Sequence, residues 1–425
     1  MIQAQSLFIG IDLGTSGVRA CAVNHHEELL HTSNTSLPSP DIQQRSITQD
    51  PQVWWQATQT VLKDLFTHID AANVQAISVN GTSGTVLACD HNGTPLAPAR
   101  MYNDSFCTEQ ATDISQIAPK TSAAHGTSSG LAKILYLQAQ YPLAKHFLHQ
   151  ADWILGQLTG VFNITDENNA LKSGYDPVNT CWPDWLKKLN VKLACLPDVV
   201  PPGTPVATIK NNLFNSLSPE CQVISGTTDS IAAFIATGAN KPGDAVTSLG
   251  STLVLKIISE TPVSAPEYGI YSHRLGNHWL AGGASNSGGA VLKHYFKQEK
   301  IDQLTPLLNP EQLTGLNYYP LIQAGERFPV NDPIFPPKLE PKADSELKFF
   351  QGILEGISHI EFEAYQKLHQ LGAPYPSQVE TAGGGSKNEA WTKIRQSVLG
   401  VPVKQAKFSE ACYGSALLAK RGFYI

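Results

Sequence analysis

The sequence predicts an α/β protein of two domains around a central cleft. Three observations predict it. The 425 residues exceed what one hydrophobic core serves, so two domains of about 200 residues each are expected. Short β-branched apolar runs alternate with segments whose apolar residues recur at helical spacing. One local plan, a strand, a turn of glycine and hydroxyl residues and a second strand, occurs near the N-terminus and again past mid-chain.

The first copy runs from Leu7–Ile11 through Asp12-Leu13-Gly14-Thr15-Ser16-Gly17 into Val18–Val23, a hairpin whose glycines permit positive φ. Between Asp50 and Ile69 the spacing of Val53, Trp54, Ala57, Val61, Leu62, Leu65 and Phe66 predicts an amphipathic helix that starts at Asp50-Pro51. Ala76–Val79 is a strand entering Asn80-Gly81-Thr82-Ser83-Gly84-Thr85, and Val86–Cys89 is another. Gln222–Ser225 feeds Gly226-Thr227-Thr228-Asp229 and a helix. Pro and Gly in Asn240-Lys241-Pro242-Gly243-Asp244 break both periodicities and put the domain junction there, giving residues 1–240 and 241–425. The second copy of the plan follows, Ala245–Leu249, Gly250-Ser251-Thr252, Leu253–Ile258. Duplicated halves facing each other across a nucleotide are the plan of the actin-like ATPase (ribonuclease H-like) fold. Two unrelated hairpins would also share Gly, Ser and Thr, because turns favour them. Farther on come a helical segment from Glu346 to Gly372, a strand ending in Thr381-Ala382-Gly383-Gly384-Gly385-Ser386-Lys387-Asn388, a helix Glu389–Leu399, a strand Val401–Val403, and a terminal helix opened by Glu410-Ala411-Cys412-Tyr413-Gly414-Ser415-Ala416.

Composition narrows the function. The chain is 42% hydrophobic and 16% charged, with net charge −6, and no Lys/Arg stripe fits a nucleic-acid backbone. Met1–Gly10 lacks a basic leader, and no run reaches the roughly 20 apolar residues of a membrane span, so a cytoplasmic location is expected. Seven scattered cysteines without a Cys-x-x-Cys pair read as reduced, packed thiols.

Phosphoryl transfer needs donors around the phosphates, a carboxylate route to Mg²⁺ and a group to take the proton of the attacking alcohol. The chain has no Gly-x-x-x-x-Gly-Lys-Ser/Thr loop, so the cradle is of another kind. The turns at Asp12 and Ser248-Leu249-Gly250-Ser251-Thr252 suit it, each bringing backbone amides close to an anion. Asp12 ends a buried strand, where a metal or its waters is a fitting counter-charge; a solvated turn aspartate is the plain alternative. Asp229 reads alone as an N-cap, but its hydroxyl-rich loop beside the junction suits a proton acceptor. Gly383-Gly384-Gly385 lets a flat base slide against the backbone, and Asn388 can cap a helix or meet the nucleoside. Gly126-Thr127-Ser128-Ser129-Gly130 matches a hydrolase elbow in pattern only, because no strand precedes it.

Taken in order, these segments resemble the successive signatures of the carbohydrate-kinase family named for its Phe-Gly-Gly-Tyr motif, which includes xylulokinase, glycerol kinase and ribulokinase. Ile9–Ala20 resembles its first phosphate motif, Asp50-Pro51 with Trp54-Trp55 its first helix, and Gly226–Ser230 the segment of its catalytic base. Ser248–Thr252 resembles the second phosphate motif, Ala281–Gly289 the glycine-rich stretch after it, and Gly383–Asn388 the adenosine motif. The resemblance implies ATP and Mg²⁺ as cofactors and a small sugar as the partner. It makes Asp229 the general base and Asp12 its companion, both at the metal and the sugar. Gly14, Thr15, Ser16, Gly250, Ser251 and Thr252 become phosphate ligands; Gly384, Gly385 and Asn388 become adenosine ligands. Ser83 and Asp104 join the sugar site. The N-terminal domain is then the sugar half and the C-terminal domain the ATP half.

Departures bear on the substrate. Where xylulokinases carry Gln-Met-His-Gly and glycerol kinases Gln-Arg-Glu, this chain has Asn80–Thr85. Met101-Tyr102-Asn103-Asp104 puts Tyr where the family's Trp-x-Asp motif has Trp, and Phe106 stands where arginine is common. The small loop resembles most closely the compact ribulokinases, which implies D-ribulose, with D-xylulose or another polyol next. A sugar- and ATP-binding sensor without turnover is the reading of a different class; the presence of both Asp12 and Asp229 argues against it.

Overall fold

A computed structural model describes residues 6–211 and 213–425; Met1–Gln5, part of the stretch expected to lack a leader, lie outside the described residues. The chain divides into two compact units. The first takes the residues up to Ala236 together with Glu410–Ile425, and the second takes Thr237–Ser409. The expected junction therefore falls four residues late, since a boundary drawn at 240 compares with 236. The larger difference is at the C-terminus, where Glu410–Ile425 groups with the first unit rather than with the second.

The reason is packing. The first unit is built on a six-stranded sheet whose strands, in chain order, are β1 (Leu7–Leu13), β2 (Gly17–Asn24), β3 (Leu29–Ser36), β4 (Val74–Gly81), β5 (Pro205–Thr208) and β6 (Gln222–Thr228). Their order across the sheet is β5-β6-β4-β1-β2-β3. The hairpins β1–β2 and β2–β3 are antiparallel, whereas β1, β4 and β6 are parallel. Helix α1 (Pro51–Leu65) starts where expected, with the Asp50 side chain accepting the Gln52 amide at 3.0 Å and Trp54 fully buried. The terminal helix Ala411–Phe423 is mostly buried, and its backbone lies against β1 and the helix Asp229–Ala236. A Cβ on Gly10 would come within 1.9 Å of the Cys412 carbonyl oxygen, and one on Gly414 within 1.8 Å of that of Ala232. Only glycine admits these approaches.

The second unit repeats the plan. Its strands are β7 (Asp244–Leu249), β8 (Leu253–Ser259), β9 (His273–Leu275), β10 (His278–Ser285), β11 (Gln378–Ala382) and β12 (Val403–Gln405), ordered β9-β10-β8-β7-β11-β12. Here β7, β8 and β10 are antiparallel neighbours, and β7, β11 and β12 run parallel. Leaving out β5 and β9, both sheets have one order and one pattern of directions. The repeated turn thus marks a repeated sheet. The last strand lies two residues later than the expected Val401–Val403. Helices Glu346–Gln370 and Glu389–Leu399 cover this sheet. Between them the buried Arg395 guanidinium donates to Glu361 at 2.6 and 2.7 Å and to the Thr381 hydroxyl at 2.7 Å, and Thr247 donates to Glu361 at 2.6 Å. A buried, bidentate pair of this kind leaves no unmet charge while its partners stay in place. It fixes β7 and β11 just before their glycine turns.

Candidate functional site

In the first unit the functional side chains gather at the C-terminal ends of β1, β4 and β6. The register places Asp12, Asn80 and Thr227 in one row across the sheet, and Leu13, Gly81 and Thr228 in the next. Asp12 and the Thr228-Asp229 step therefore emerge at one end of the sheet with a single strand between them, roughly 10 Å apart at the backbone. Asp12 and Asp229 are half-buried. Burial pushes the Asp12 carboxyl up to about 7, the neighbouring Asp229 pushes it the same way, and Arg19 opposes them. Two carboxylates sharing a poorly solvated corner make a place for a cation. Hard oxygen donors suit Mg²⁺, which keeps most of its waters and takes phosphate oxygens for the rest.

Asp229 opens the helix Asp229–Ala236 from within, and its Oδ1 accepts the Ser230 amide at 2.6 Å. The Thr228 hydroxyl beside it is buried with no protein partner, as is the Ser83 hydroxyl at the end of β4. Thr15 is half-buried and Ser16 exposed in the bend after β1, which is closed by the Gly14 amide on the Gly17 carbonyl at 3.0 Å.

Other residues of the loop brace it. The fully buried Asn80 amide donates to the Ile11 and Ala411 carbonyls at 3.2 Å and to the Ser415 hydroxyl at 2.7 Å, tying the terminal helix to the strand ends. Gln150 accepts both the amide and the hydroxyl of Thr82, at 3.0 and 2.9 Å. Lys133, also fully buried, donates to the carbonyls of Gly84, Ser128 and Tyr102 at 2.7, 2.9 and 3.3 Å. One ammonium thus pins three loops. Burial pulls its pKa down to about 7, while Asp104 holds the proton on. Asn168 reaches the Thr227 hydroxyl at 3.0 Å, bracing the strand that carries Asp229.

Asp104 differs from its expected role as an acceptor of sugar hydroxyls. It is 0% exposed, and it takes the Arg100 guanidinium at 2.9 Å and the amides of Ile47 and Phe106 at 2.8 and 3.2 Å. Its carboxylate is spent on the protein's own donors. The segment 126–129 is a turn leading into the helix Gly130–Gln140, with no strand before it, so the hydrolase elbow is a coincidence of pattern.

In the second unit Gly250, Ser251, Gly384, Gly385 and Asn388, all expected at the nucleotide, line one cavity of about 910 Å³. The glycines of the run beside it have separate reasons. Gly383 has φ 82°, and a Cβ there would meet the Leu249 carbonyl oxygen at 2.7 Å; a Cβ on Gly385 would come within 2.8 Å of Leu249 and Trp391; one on Gly384 would meet nothing within 4 Å. Asn388 caps the helix Glu389–Leu399, its Oδ1 accepting the Trp391 amide at 2.9 Å. Its NH₂ end is the part left for a ligand. Thr252 differs from expectation, lining a neighbouring hollow with Asn286 and Leu321 and not this cavity. Among the lining residues absent from the sequence reading are the apolar Leu292, Ile301, Pro306 and Leu308 and the cationic Lys293 and Lys393; Lys387, quoted there only within the Gly383–Asn388 motif, lines the cavity as well.

Both sheets repeat one five-stranded order, which is the actin-like ATPase architecture. Residues 7–236 match the family model described as the FGGY family of carbohydrate kinases, N-terminal domain, and residues 245–422 match its C-terminal domain. The chain belongs to the FGGY family of carbohydrate kinases. It is 24% identical to a xylulose kinase of Escherichia coli over 93% of this chain and 85% of the relative, and 22% identical to a gluconokinase of Bacillus subtilis over 97% and 87%. Among solved structures, a "xyloylose kinase" from Brucella ovis superposes with a TM-score of 0.86 at 23% identity, covering 98% of this chain and 90% of that one. As a carbohydrate kinase the protein is a phosphotransferase that uses ATP on a small sugar. Among the described residues no helix is long and apolar enough to cross a membrane.

Proposed function

We propose that the protein phosphorylates a ketopentose, with Asp229 as the general base, Asp12 beside it and ATP held by the second unit. The observation that carries this is the gathering of Gly250, Ser251, Gly384, Gly385 and Asn388 on one cavity, while Asp12 and Asp229 meet at a strand end braced by side chains. The apolar wall of Leu292, Ile301 and Leu308 suits a purine, and Gly384 leaves room for it. In this reading backbone amides of the Gly250 turn, and those of the Gly14 turn other than the Gly14 amide bonded to the Gly17 carbonyl, donate to phosphate oxygens. Mg²⁺, held by Asp12 and Asp229 through water and by the phosphates, would neutralise charge on the transferred group. Asp229 accepts the proton of the attacking hydroxyl, and the unpartnered Ser83 and Thr228 hydroxyls bind other hydroxyls of the sugar. In-line transfer requires the γ-phosphoryl held by the second unit to meet that alcohol, with water excluded. The cytoplasm, where ATP is made and used, is the compartment this reading fits.

D-ribulose is the first substrate to test, because the small loop of Gly, Thr and Ser at positions 81–85 resembles that of the compact ribulokinases. The relatives named as xylulose kinases support D-xylulose equally. ADP release measured across D-ribulose, D-xylulose, gluconate, glycerol and other polyols decides between them. A ketopentose should give the highest kcat/KM; a maximum with gluconate or glycerol would overturn the assignment, and stimulation by no sugar would favour the sensor.

A further inference from the structure

We infer that His31, Asp64 and His68 form a binding site for a borderline divalent cation such as Zn²⁺, on a face of the first unit that the phosphoryl-transfer chemistry does not use. His31 lies on β3, Asp64 in the last turn of α1, and His68 in the turn that follows the helix, its amide donating to the Leu65 carbonyl at 3.0 Å. One ligand atom from each of the three falls within 4.8 Å of the others. His68 Nε2 stands 4.0 Å from Asp64 Oδ1, and the His31 and His68 rings lie 3.9 Å apart, tilted by 19°.

An ion bound tetrahedrally at about 2.0–2.1 Å by imidazole nitrogen and carboxylate oxygen needs its ligand atoms about 3.3 Å apart, and the two stacked rings must turn so that their nitrogens converge on it. The side chains of His68 and Asp64 are 48% and 58% exposed, so χ rotation supplies the closure without disturbing the core. Two imidazoles and one carboxylate select Zn²⁺, Ni²⁺ or Cu²⁺ over Mg²⁺, which prefers oxygen alone. With three protein ligands, a fourth position remains for water.

The register separates this site from Asp12. His31 pairs with Ala22 and Ala22 with Ile9, whereas Asp12 pairs with Arg19 and Arg19 with Asn34. The two sites are offset by three residues along the strands, roughly 10 Å, and by two strands across the sheet. A bound cation would therefore join β3 to α1, and stabilise the unit by mass action without entering the reaction.

The test uses the full chain after dialysis against a chelator. Isothermal titration with Zn²⁺ should show a saturable site of about one ion per chain beyond what His31→Ala binds, and a melting temperature that rises with Zn²⁺ in the wild type. His31→Ala and His68→Ala should each weaken that site at least tenfold, and Asp64→Asn should weaken it less. Mg²⁺ at the same concentrations should give no such signal. Equal Zn²⁺ binding by wild type and both histidine variants, or no saturable binding by the wild type, would overturn the inference. Because the site lies apart from Asp12 and Asp229, the variants should keep wild-type sugar phosphorylation, which separates this inference from the proposed reaction.

Discussion

The strand ends of the first unit and the cavity of the second solve different problems on two sheets that repeat one five-stranded order. At Asp12 and Asp229 the groups proposed to work are carboxylates, with the Asp12 pKa raised by burial and by the neighbouring Asp229, and a layer of polar side chains braces the strands that carry them. Around Gly250 and Gly384 the surface proposed to meet the nucleotide is backbone and empty space: a Cβ on Gly250 would meet nothing closer than 3.8 Å, and one on Gly384 nothing within 4 Å. The first site should respond to charge and pH, and the second to volume. Each prediction below tests that contrast.

The largest effect is expected at Gly414. A valine there meets the Ala232 carbonyl oxygen, which a Cβ would approach to 1.8 Å, so the terminal helix must move off the helix that carries Asp229. Overpacking of this kind costs about 1–3 kcal/mol where the backbone can give, and more where it cannot. Gly414→Val should lower the denaturant midpoint and abolish turnover, and wild-type values for both would show that the terminal helix is a passive appendage.

Next is Lys133. Its replacement by methionine keeps the stem and leaves three buried carbonyls without a donor. We expect the KM for sugar to rise tenfold or more with the nucleotide Kd unchanged. The sign with pH follows from the lowered pKa: the unfolded lysine binds its proton up to about pH 10.5 and the buried one up to about 7. Lys133 therefore makes wild-type stability rise between these values, and Lys133→Met should lack that increment.

Gly384→Val sharpens the other side of the comparison. Because its Cβ meets nothing within 4 Å, the fold should tolerate valine while the cavity proposed for the nucleotide loses volume. ATP affinity should fall about tenfold with the melting temperature unchanged within about 1 °C. A stability loss with normal ATP binding would place Gly384 outside the nucleotide site.

The smallest effect, and the most informative about charge, belongs to Asp12→Asn. The folded Asp12 pKa, about 7, lies above its ordinary 3.8, so the folded state binds more protons than the unfolded state between these values. Stability contributed by protonated Asp12 is present below pH 3.8 and is lost as pH rises through 7. Asparagine, which cannot ionise, should melt a few degrees higher than wild type at pH 8 and at the same temperature at pH 4, while turnover falls. On the proposed reading, in which the ionised Asp12 helps hold Mg²⁺, wild-type Mg²⁺ affinity should rise as pH passes 7.

The same contrast explains how much the sequence disclosed. The glycine turns were legible because a strand end entering a run of Gly, Ser and Thr is a local signal, and so five cavity residues were found from their order along the chain; of Gly14, Gly17, Gly250, Gly383, Gly384 and Gly385, Gly383 alone takes positive φ. The sheet repeat was legible through its first hairpin, which is local. The braces were not. Lys133 lies in an apolar helix as a lone charge, one turn before the buried Leu137, and that misplaced charge was the available signal. Its three acceptors are backbone carbonyls, which have no sequence signature. Asp104 shows the converse, a carboxylate in a sugar-like motif whose partners, Arg100 and two amides, turn it inward. The return of Glu410–Ile425 to the first unit rests on Gly10 and Gly414 meeting backbone hundreds of residues away, a contact no local period records.

The central claim is that Asp229 acts on the acceptor alcohol while the nucleotide is bound by the other unit. It is tested most directly by measuring ATP affinity and ketopentose-dependent ADP release side by side in Asp229→Asn. Loss of ADP release by a factor of about 10²–10⁴, with wild-type ATP affinity, is the predicted result. Turnover within a fewfold of wild type would contradict the account.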